Sequence, residues 1–513
     1  MNGAESLVTT LLNNDIDTCF ANPGTSEMHF VAALDRIPGM HCVLGLHENV
    51  VTGMADGYYR IAERPACTLL HCGPGLANGM ANLHNARRAR SGIVNIVGEQ
   101  ATYHRPFDAP LTADTDAMAR TVSSWVRCTT AAAEVGLDAA AAVQAARTFP
   151  GNVATLILPS DSSWDEGGVA AGKLLSPTPS SIDPFSVETA ARILREHKDV
   201  LLLLAGKGVS VPSQELAWRI SKATGAALLA DYVNGRIPRG RGRLQLERVP
   251  YNSDVARDVL SRFRHVILVN SKPPVGFFAY PGAPSVHHRS DAQFHVLSRF
   301  DQDAESALQS LAEALGAPRA PIPDVGQTSA IGRGAPTSEG LAQTLAAVLP
   351  ANSIVSDESL SFGRSFYKFT HAAPEHDWLH LTGGAIGDGL PVATGAAVGS
   401  KRTRRVISLQ ADGSAMYSLQ SLWTQARERL PNTTVILNNR KYNILIDEYA
   451  NVGASPGPTG MSMLDLSNPN MNWVQIANGL GVEAAQATTL EQCADLMSQS
   501  FRQDGPFLID LMI

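Results

Sequence analysis

The chain has 513 residues, 44% apolar and 17% charged, with a formal net charge of -7. That length exceeds a single hydrophobic core and calls for about three domains. The composition is that of a globular enzyme rather than a disordered or nucleic-acid-binding chain, and the mild negative charge implies no polyanionic partner.

Taken in chain order, the first third alternates apolar strand candidates with helical stretches. Strands are predicted at Thr18–Phe20, Val43–Leu46, Cys67–Leu70, Ile93–Val97 and Ala154–Ile157, with helical stretches such as Val50–Ile61 and Gly79–Ala89 between them. Such alternation builds a doubly wound parallel sheet, placed at residues 1–170. Arg87-Arg88-Ala-Arg90 reads as a solvated helix face, so no nucleic-acid partner is expected. A Ser/Pro-rich linker, Leu175–Pro184, precedes a middle Rossmann-like domain at 185–320. Its strand candidates are Val200–Leu204, Ala226–Leu229, His265–Val269 and His295–Leu297. Ala205-Gly-Lys-Gly208 lacks the third glycine of a dinucleotide fingerprint and reads as a structural turn. A second linker, Gly316–Thr337, leads to a third domain at 338–513, with strands at Ile354–Asp357, Val406–Leu409, Thr434–Leu437 and Phe507–Leu511. The fold class is therefore α/β, with three doubly wound parallel-sheet domains.

The cysteines, Cys19, Cys42, Cys67, Cys72, Cys128 and Cys493, show no Cys-x-x-Cys pair or metal spacing and suit reduced thiols. The start Met1-Asn-Gly-Ala-Glu5 lacks the basic opening of a signal peptide, and Val200–Leu204, the longest purely apolar run, is too short to span a bilayer. A cytoplasmic protein with no membrane partner is expected.

The chemistry starts with Gln410-Ala-Asp-Gly-Ser414 and with Leu437-Asn-Asn-Arg440. Each follows an apolar strand, and the segment from Ala415 to Arg429 between them has helical composition. Asp412 and Asn439 therefore fall at neighbouring strand ends, where open α/β sheets bind ligands. Mg2+ takes oxygen ligands from one or two carboxylates plus substrate phosphates. Asp412, the Asn439 side-chain oxygen and a nearby backbone carbonyl would supply three such oxygens, with diphosphate and water completing the shell.

This Asp-Gly-Ser to Asn-Asn spacing resembles the signature of thiamine-diphosphate enzymes, with Ala411 where the family has Gly. Far away in the first domain, Asn22-Pro-Gly-Thr-Ser26, His47-Glu48-Asn49 and Ala55-Asp-Gly-Tyr58 resemble the pyrimidine-binding domain of the decarboxylase and acetolactate-synthase branch of that family. The resemblance covers essentially the whole chain and implies an order of pyrimidine, middle and diphosphate domains. It also implies that Glu48 hydrogen-bonds the aminopyrimidine ring and promotes loss of the thiazolium proton. Pro23, Gly24, Thr25 and Asn78 would border the cofactor or substrate.

His71, in Leu69-Leu-His-Cys-Gly-Pro-Gly75, stands where benzoylformate decarboxylases carry a proton-transferring histidine, while Cys72 reads as a packing thiol. The second active-site histidine of that branch is not evident; Phe278 lies near its position, and Phe277 and Phe278 are candidate substrate-pocket residues. In the third domain the resemblance puts Glu358, Ser359, Leu360 and Ser361 near the diphosphate. Gly384 and Ile386 fall at the bend of the cofactor. Asp412, Asn439 and the Lys441 carbonyl would hold Mg2+, and Gly413, Ser414, Tyr442, Asn443 and Ile444 would run along the diphosphate and thiazolium.

The implied function is decarboxylation of a 2-oxo acid followed by protonation or ligation of the resulting enamine, as in acetolactate-synthase-like carboligases. Benzoylformate-type decarboxylation without ligation is the alternative. A non-catalytic scaffold homologue is disfavoured by the joint presence of Glu48, Asp412 and Asn439. FAD, usual in acetolactate synthases proper, is not expected, because no flavin fingerprint is evident in the middle domain. The family places its two cofactor-binding halves across a subunit interface, which implies a homodimer or homotetramer.

Overall fold

Strands apolar on both faces must be covered by helices on both sides, which is the condition of a parallel sheet in an α/β protein. The computed structural model describes residues 1–326 and 330–513 and contains three such sheets. Residues 327–329, inside the second linker, lie outside the described residues.

The first sheet runs in the order His41–Leu44, Thr18–Ala21, Ala66–Leu70, Ile93–Glu99, Val153–Pro159 and Trp125–Cys128, all parallel. The middle sheet runs Gln293–Ser298, His265–Val269, Val200–Leu204 and Ala227–Ala230, also parallel. The third runs Glu483–Ala487, Phe507–Met512, Asn432–Asn438, Val406–Ala411, Ser353–Glu358 and His376–His380, parallel throughout. Its last edge departs from the expected pattern. Ile237–Arg239, from the middle segment, joins it antiparallel, with Arg239 opposite His376. Pro238 is tolerated there because the strand is an edge.

Two further differences bear on the site. The strand before Glu48 ends at Leu44 rather than Leu46, and the helix that follows begins at Glu48 rather than Val50 and runs to Ala62. The segment after Asp412 is not one helix: a turn at Asp412–Ala415 is followed by a separate helix, Gln420–Arg427.

Helix Glu48–Ala62 lies against helix Gly389–Gly399 with both amino ends at the same end of the packed pair, which joins the first and third domains. Glycines make the contact possible. A Cβ on Gly395 would sit 1.8 Å from the Met54 carbonyl oxygen, and one on Gly57 would sit 2.1 Å from that of Val392. In this seam the buried Arg60 pairs with Asp56 and lies 3.7 Å from Asp388, whose carboxyl burial holds well above the usual range, and Arg60 also donates to the His380 carbonyl at 2.7 Å. One apolar core runs through it, combining Phe20, Val50 and Met54 with Leu379, Val392 and Val406.

Candidate active site

Two constellations form, one on each outer domain. The first is a cavity whose lining comes from the third domain alone: Ser359–Phe362, Ala411–Ser414, Leu437, Asn439, Lys441–Ile444 and Ile513. It opens at the carboxyl ends of three neighbouring strands. Asp412 is 2% exposed. Its Oδ1 accepts from the Gly413 N–H at 2.9 Å and its Oδ2 from the Arg440 N–H at 2.7 Å. Among the described residues its partners are these backbone N–H groups and no cationic side chain, and burial pushes its carboxyl above the usual range.

Asn439 turns its Oδ1 back to the Lys441 N–H at 3.1 Å. Tyr442 N–H donates to the Leu464 carbonyl at 2.9 Å, pinning this loop from outside. The helix Asn443–Asn451 begins at the cavity; the Leu445 and Ile446 N–H groups donate to the Tyr442 carbonyl, at 3.0 and 3.3 Å, which leaves those of Asn443 and Ile444 as the open donors of its first turn. Gly413 leaves room that no larger residue could, since a Cβ there would meet the Tyr442 ring at 2.4 Å.

Glu358, expected beside the cofactor, is held by the glycine loop and by Gln410. It is 1% exposed, and its carboxylate accepts from the N–H groups of Gly387 and Gly389 and from Gln410 Nε2, each at 2.7 Å. It therefore braces the glycine loop 383–389 and lines no part of the cavity. Gly384 and Ile386 sit in that loop and do not line the cavity either. The opposite side of the loop is clamped by the first domain. Asn85 donates to the Ala385 carbonyl at 2.8 Å and accepts its N–H at 3.2 Å, while Asn82 donates to the Gly387 carbonyl at 3.2 Å.

The second constellation lies on the first domain. Glu48 is 6% exposed, and Asn78 Nδ2 donates to its Oε2 at 3.0 Å. Its Oε1 lies over Gly75, where an added Cβ would come within 3.0 Å. His71 caps the helix Cys72–Ala89, and its Nδ1 lies 2.9 Å from Glu27 Oε2. Gly24 N–H donates to the same Glu27 oxygen at 2.8 Å, and Ser26 Oγ bonds Glu27 Oε1. Glu27 is a buried carboxylate that sequence reasoning missed; its only signal was its position just beyond Asn22-Pro-Gly-Thr-Ser26. Cys72 is buried, as a packing thiol would be, but its Sγ also lies 3.0 Å from Ser26 Oγ. Burial pushes that thiol up to about 11.

Phe277 reaches the third domain: its ring tip is 2.4 Å from where a Cβ on Gly384 would lie. Phe278 packs edge-on against it at 5.1 Å and is 59% exposed. The chain thus gathers Pro23–Thr25, Glu48, His71 and Asn78 on one domain, and Ser359–Ser361, Asp412–Ser414, Asn439 and Lys441–Ile444 on another. Neither Glu48 nor His71 lines the third-domain cavity. No helix among the described residues is long and apolar enough to cross a membrane.

Residues 1–120 match the description "Thiamine pyrophosphate enzyme, N-terminal TPP binding domain", and residues 361–511 match "Thiamine pyrophosphate enzyme, C-terminal TPP binding domain". The chain is 47% identical to "Putative acetolactate synthase large subunit IlvX" of Mycobacterium tuberculosis, over 100% of this chain and 99% of that protein. It belongs to the thiamine pyrophosphate enzyme family.

Within that family it is 27% identical to benzoylformate decarboxylase of Pseudomonas aeruginosa, over 98% of this chain and 97% of that protein. The fold matches that of Rhodococcus jostii RHA1 thiamine diphosphate-dependent 4-hydroxybenzoylformate decarboxylase with a TM-score of 0.84, at 23% identity, over 99% and 98% of the two chains. The chain is thus a thiamine diphosphate-dependent enzyme of the acetolactate synthase and benzoylformate decarboxylase group. Its residues fit the cofactor's charged end. A buried carboxylate without a cationic partner among the described residues sits beside an amide oxygen and the open N–H groups of Asn443 and Ile444, a donor set suited to holding a divalent cation and a diphosphate.

Proposed function

We propose that the chain is a thiamine diphosphate- and Mg2+-dependent enzyme that decarboxylates a small 2-oxo acid. The product is then released as an aldehyde or joined to a second carbonyl compound, as the likeness to acetolactate synthase suggests. The observation that carries the reading is Asp412: it is buried, lacks a cationic partner among the described residues and stands at a strand end next to Asn439. When bound, the cofactor supplies the electron sink for loss of carbon dioxide.

The chain's own residues do the rest. Asp412, Asn439 Oδ1 and the Lys441 carbonyl would hold the cation, with Ser359–Ser361, Gly413, Ser414 and Tyr442–Ile444 along the diphosphate. Glu48 shares a proton at Oε1, the oxygen that Asn78 leaves open, and Asn78 fixes the carboxyl plane. His71 donates Nδ1–H to Glu27, which leaves Nε2 to give or take a proton beside the substrate. Pro23–Thr25 would border the ring, and Gly384 and Ile386 its bend. Phe277 and Phe278 would wall the substrate side.

A second copy of the chain, in a homodimer or homotetramer, would bring Glu48 to the partner's Asp412 cavity. Exposed apolar side chains flanking both constellations support this: Met28 and Leu46 on the first domain, and Met416, Tyr417 and Leu445 on the third. No flavin role is assigned to the turn at Gly206–Gly208, and a flavin spectrum in the purified protein would contradict that.

One observation favours the simpler outcome, decarboxylation without ligation. The Glu27–His71 pair is built to protonate a carbanionic product, and a benzoylformate decarboxylase is among the relatives. Pyruvate, benzoylformate and branched 2-oxo acids, each with and without an aldehyde acceptor, would be incubated with the protein, thiamine diphosphate and Mg2+, and the products weighed by mass spectrometry. Ligated products support carboligation, and aldehyde alone supports the simpler outcome. Turnover of none of them overturns the proposal.

A further inference from the structure

The amino end of the middle sheet, away from both constellations, carries a histidine cluster that the reaction does not use. His197 ends the helix Pro184–Glu196, Asp199 precedes the strand Val200–Leu204, and His265 opens the strand His265–Val269. Pairing of those two strands, with His265 beside Val200, brings the three together. The Asp199 carbonyl accepts the His265 N–H at 3.2 Å, so the backbone fixes the aspartate next to the histidine. The His197 and His265 rings stack with centroids 4.0 Å apart. One donor atom from each of the three side chains lies within 4.8 Å of the others.

A second, independent observation points to a ligand. His265 is 3% exposed, and its Nε2 is buried without a hydrogen-bond partner. Its Nδ1 lies 3.2 Å from His295 Nε2. If Nδ1 donates there, Nε2 carries a lone pair, which is the form that binds a metal. A buried lone pair is also less costly than a buried unsatisfied N–H. Burial, and after it the neighbouring imidazole, lowers the pKa of both His265 and His295; Arg192 acts on both in the same direction and Arg264 on His265, with Asp199 opposing them at His265, so neutral rings are favoured.

Two imidazoles and one carboxylate, with a third imidazole orienting the buried ring, suit a transition-metal ion rather than Mg2+ or Ca2+. We propose that His197, Asp199 and His265 bind one divalent transition-metal ion of the zinc class, with His295 holding His265 in its ligating tautomer. The ion ties the end of the first middle-domain helix to two strands of the sheet. Its role is structural, because the site lies at the end of the sheet opposite to the ligand-binding edge.

Co2+ is the probe. Full-length protein saturated with thiamine diphosphate and Mg2+ is titrated with Co2+ and followed by visible absorption. The expected result is a set of tetrahedral or five-coordinate d–d bands that saturates at one Co2+ per chain and is discharged by Zn2+. His265 is too buried to replace safely, so the variants are His197→Gln with Asp199→Asn, and separately His295→Ala. The double variant is expected to lose the bands. His295→Ala is expected to keep them with affinity weakened about tenfold or more. Unchanged circular dichroism in both would show that they fold. Equal bands in wild type and double variant, or no bands in wild type, would overturn the proposal.

Discussion

Glu27 Oε2 lies 2.9 Å from His71 Nδ1 and accepts the Gly24 N–H at 2.8 Å, which locks a buried carboxylate against the imidazole ring. The arrangement fixes both the tautomer and the tilt of the imidazole. Replacing Glu27 by Leu removes the acceptor while retaining bulk. The expected outcome is a protein that folds and retains thiamine diphosphate but turns over its 2-oxo acid about tenfold to hundredfold more slowly. Steady-state kinetics beside cofactor-binding measurements would check this, and an unchanged kcat would remove His71 from the mechanism.

The seam between helices Glu48–Ala62 and Gly389–Gly399 tolerates no added carbon. A methyl group on Gly395 would enter the Met54 carbonyl at 1.8 Å, and backbone cannot swing aside as a flexible side chain can. Gly395→Ala is expected to destabilise the chain by about 1–3 kcal/mol or more. Gly479→Ala, a helical position with open space around it, serves as the control and should change little. Chemical denaturation of the two variants makes the comparison.

If Asp412 holds the cation as proposed, it makes cation binding depend on pH. Burial raises its pKa in the metal-free protein, so protons compete with the cation over a higher pH range than an exposed Asp would allow. For the same reason its contribution to metal-free stability is complete at low pH and is lost as pH rises through the raised pKa. Mg2+ affinity is therefore expected to fall on acidification. Asp412→Asn should lose Mg2+-dependent turnover by about two orders of magnitude or more. Calorimetric Mg2+ titrations across pH would test both statements, and an affinity independent of pH would count against them.

The third sheet holds histidines that resist protonation. Burial pushes His376 down to about 3, with Arg239 adding to the effect, and His380 is held well below its ordinary value by burial and Arg248. A depressed folded pKa means that the stabilising contribution is complete above the unfolded value of 6.5 and is lost as pH falls toward 3. The melting temperature should fall with acidification below about 6.5, and less steeply in His376→Gln. Parallel acid limbs in variant and wild type would contradict the assignment.

Much of this was legible in the sequence because it depends on local pattern. Val406–Leu409 and Thr434–Leu437 are apolar runs that can only be buried strands, so Asp412 and Asn439 had to emerge at adjacent strand ends. Glu27 escaped because its partner, His71, stands 44 positions away, and only folding joins them. Glu358 is put near the cofactor by the family resemblance alone. Three hydrogen bonds from the glycine loop and Gln410, which no spacing announces, turn it into a brace. Ile237–Arg239 has too few residues to show alternation. It joins the third sheet through tertiary contacts, with Arg239 stacked 3.7 Å above the Tyr367 ring.

The central claim is that Glu48, held by Asn78, and Asp412, at the foot of another domain, serve one thiamine diphosphate reaction. Turnover of Glu48→Gln on whichever 2-oxo acid the wild type accepts, at saturating thiamine diphosphate and Mg2+, tests it most directly. The account predicts a loss of about a hundredfold or more with the fold intact. Full activity in that variant would contradict it.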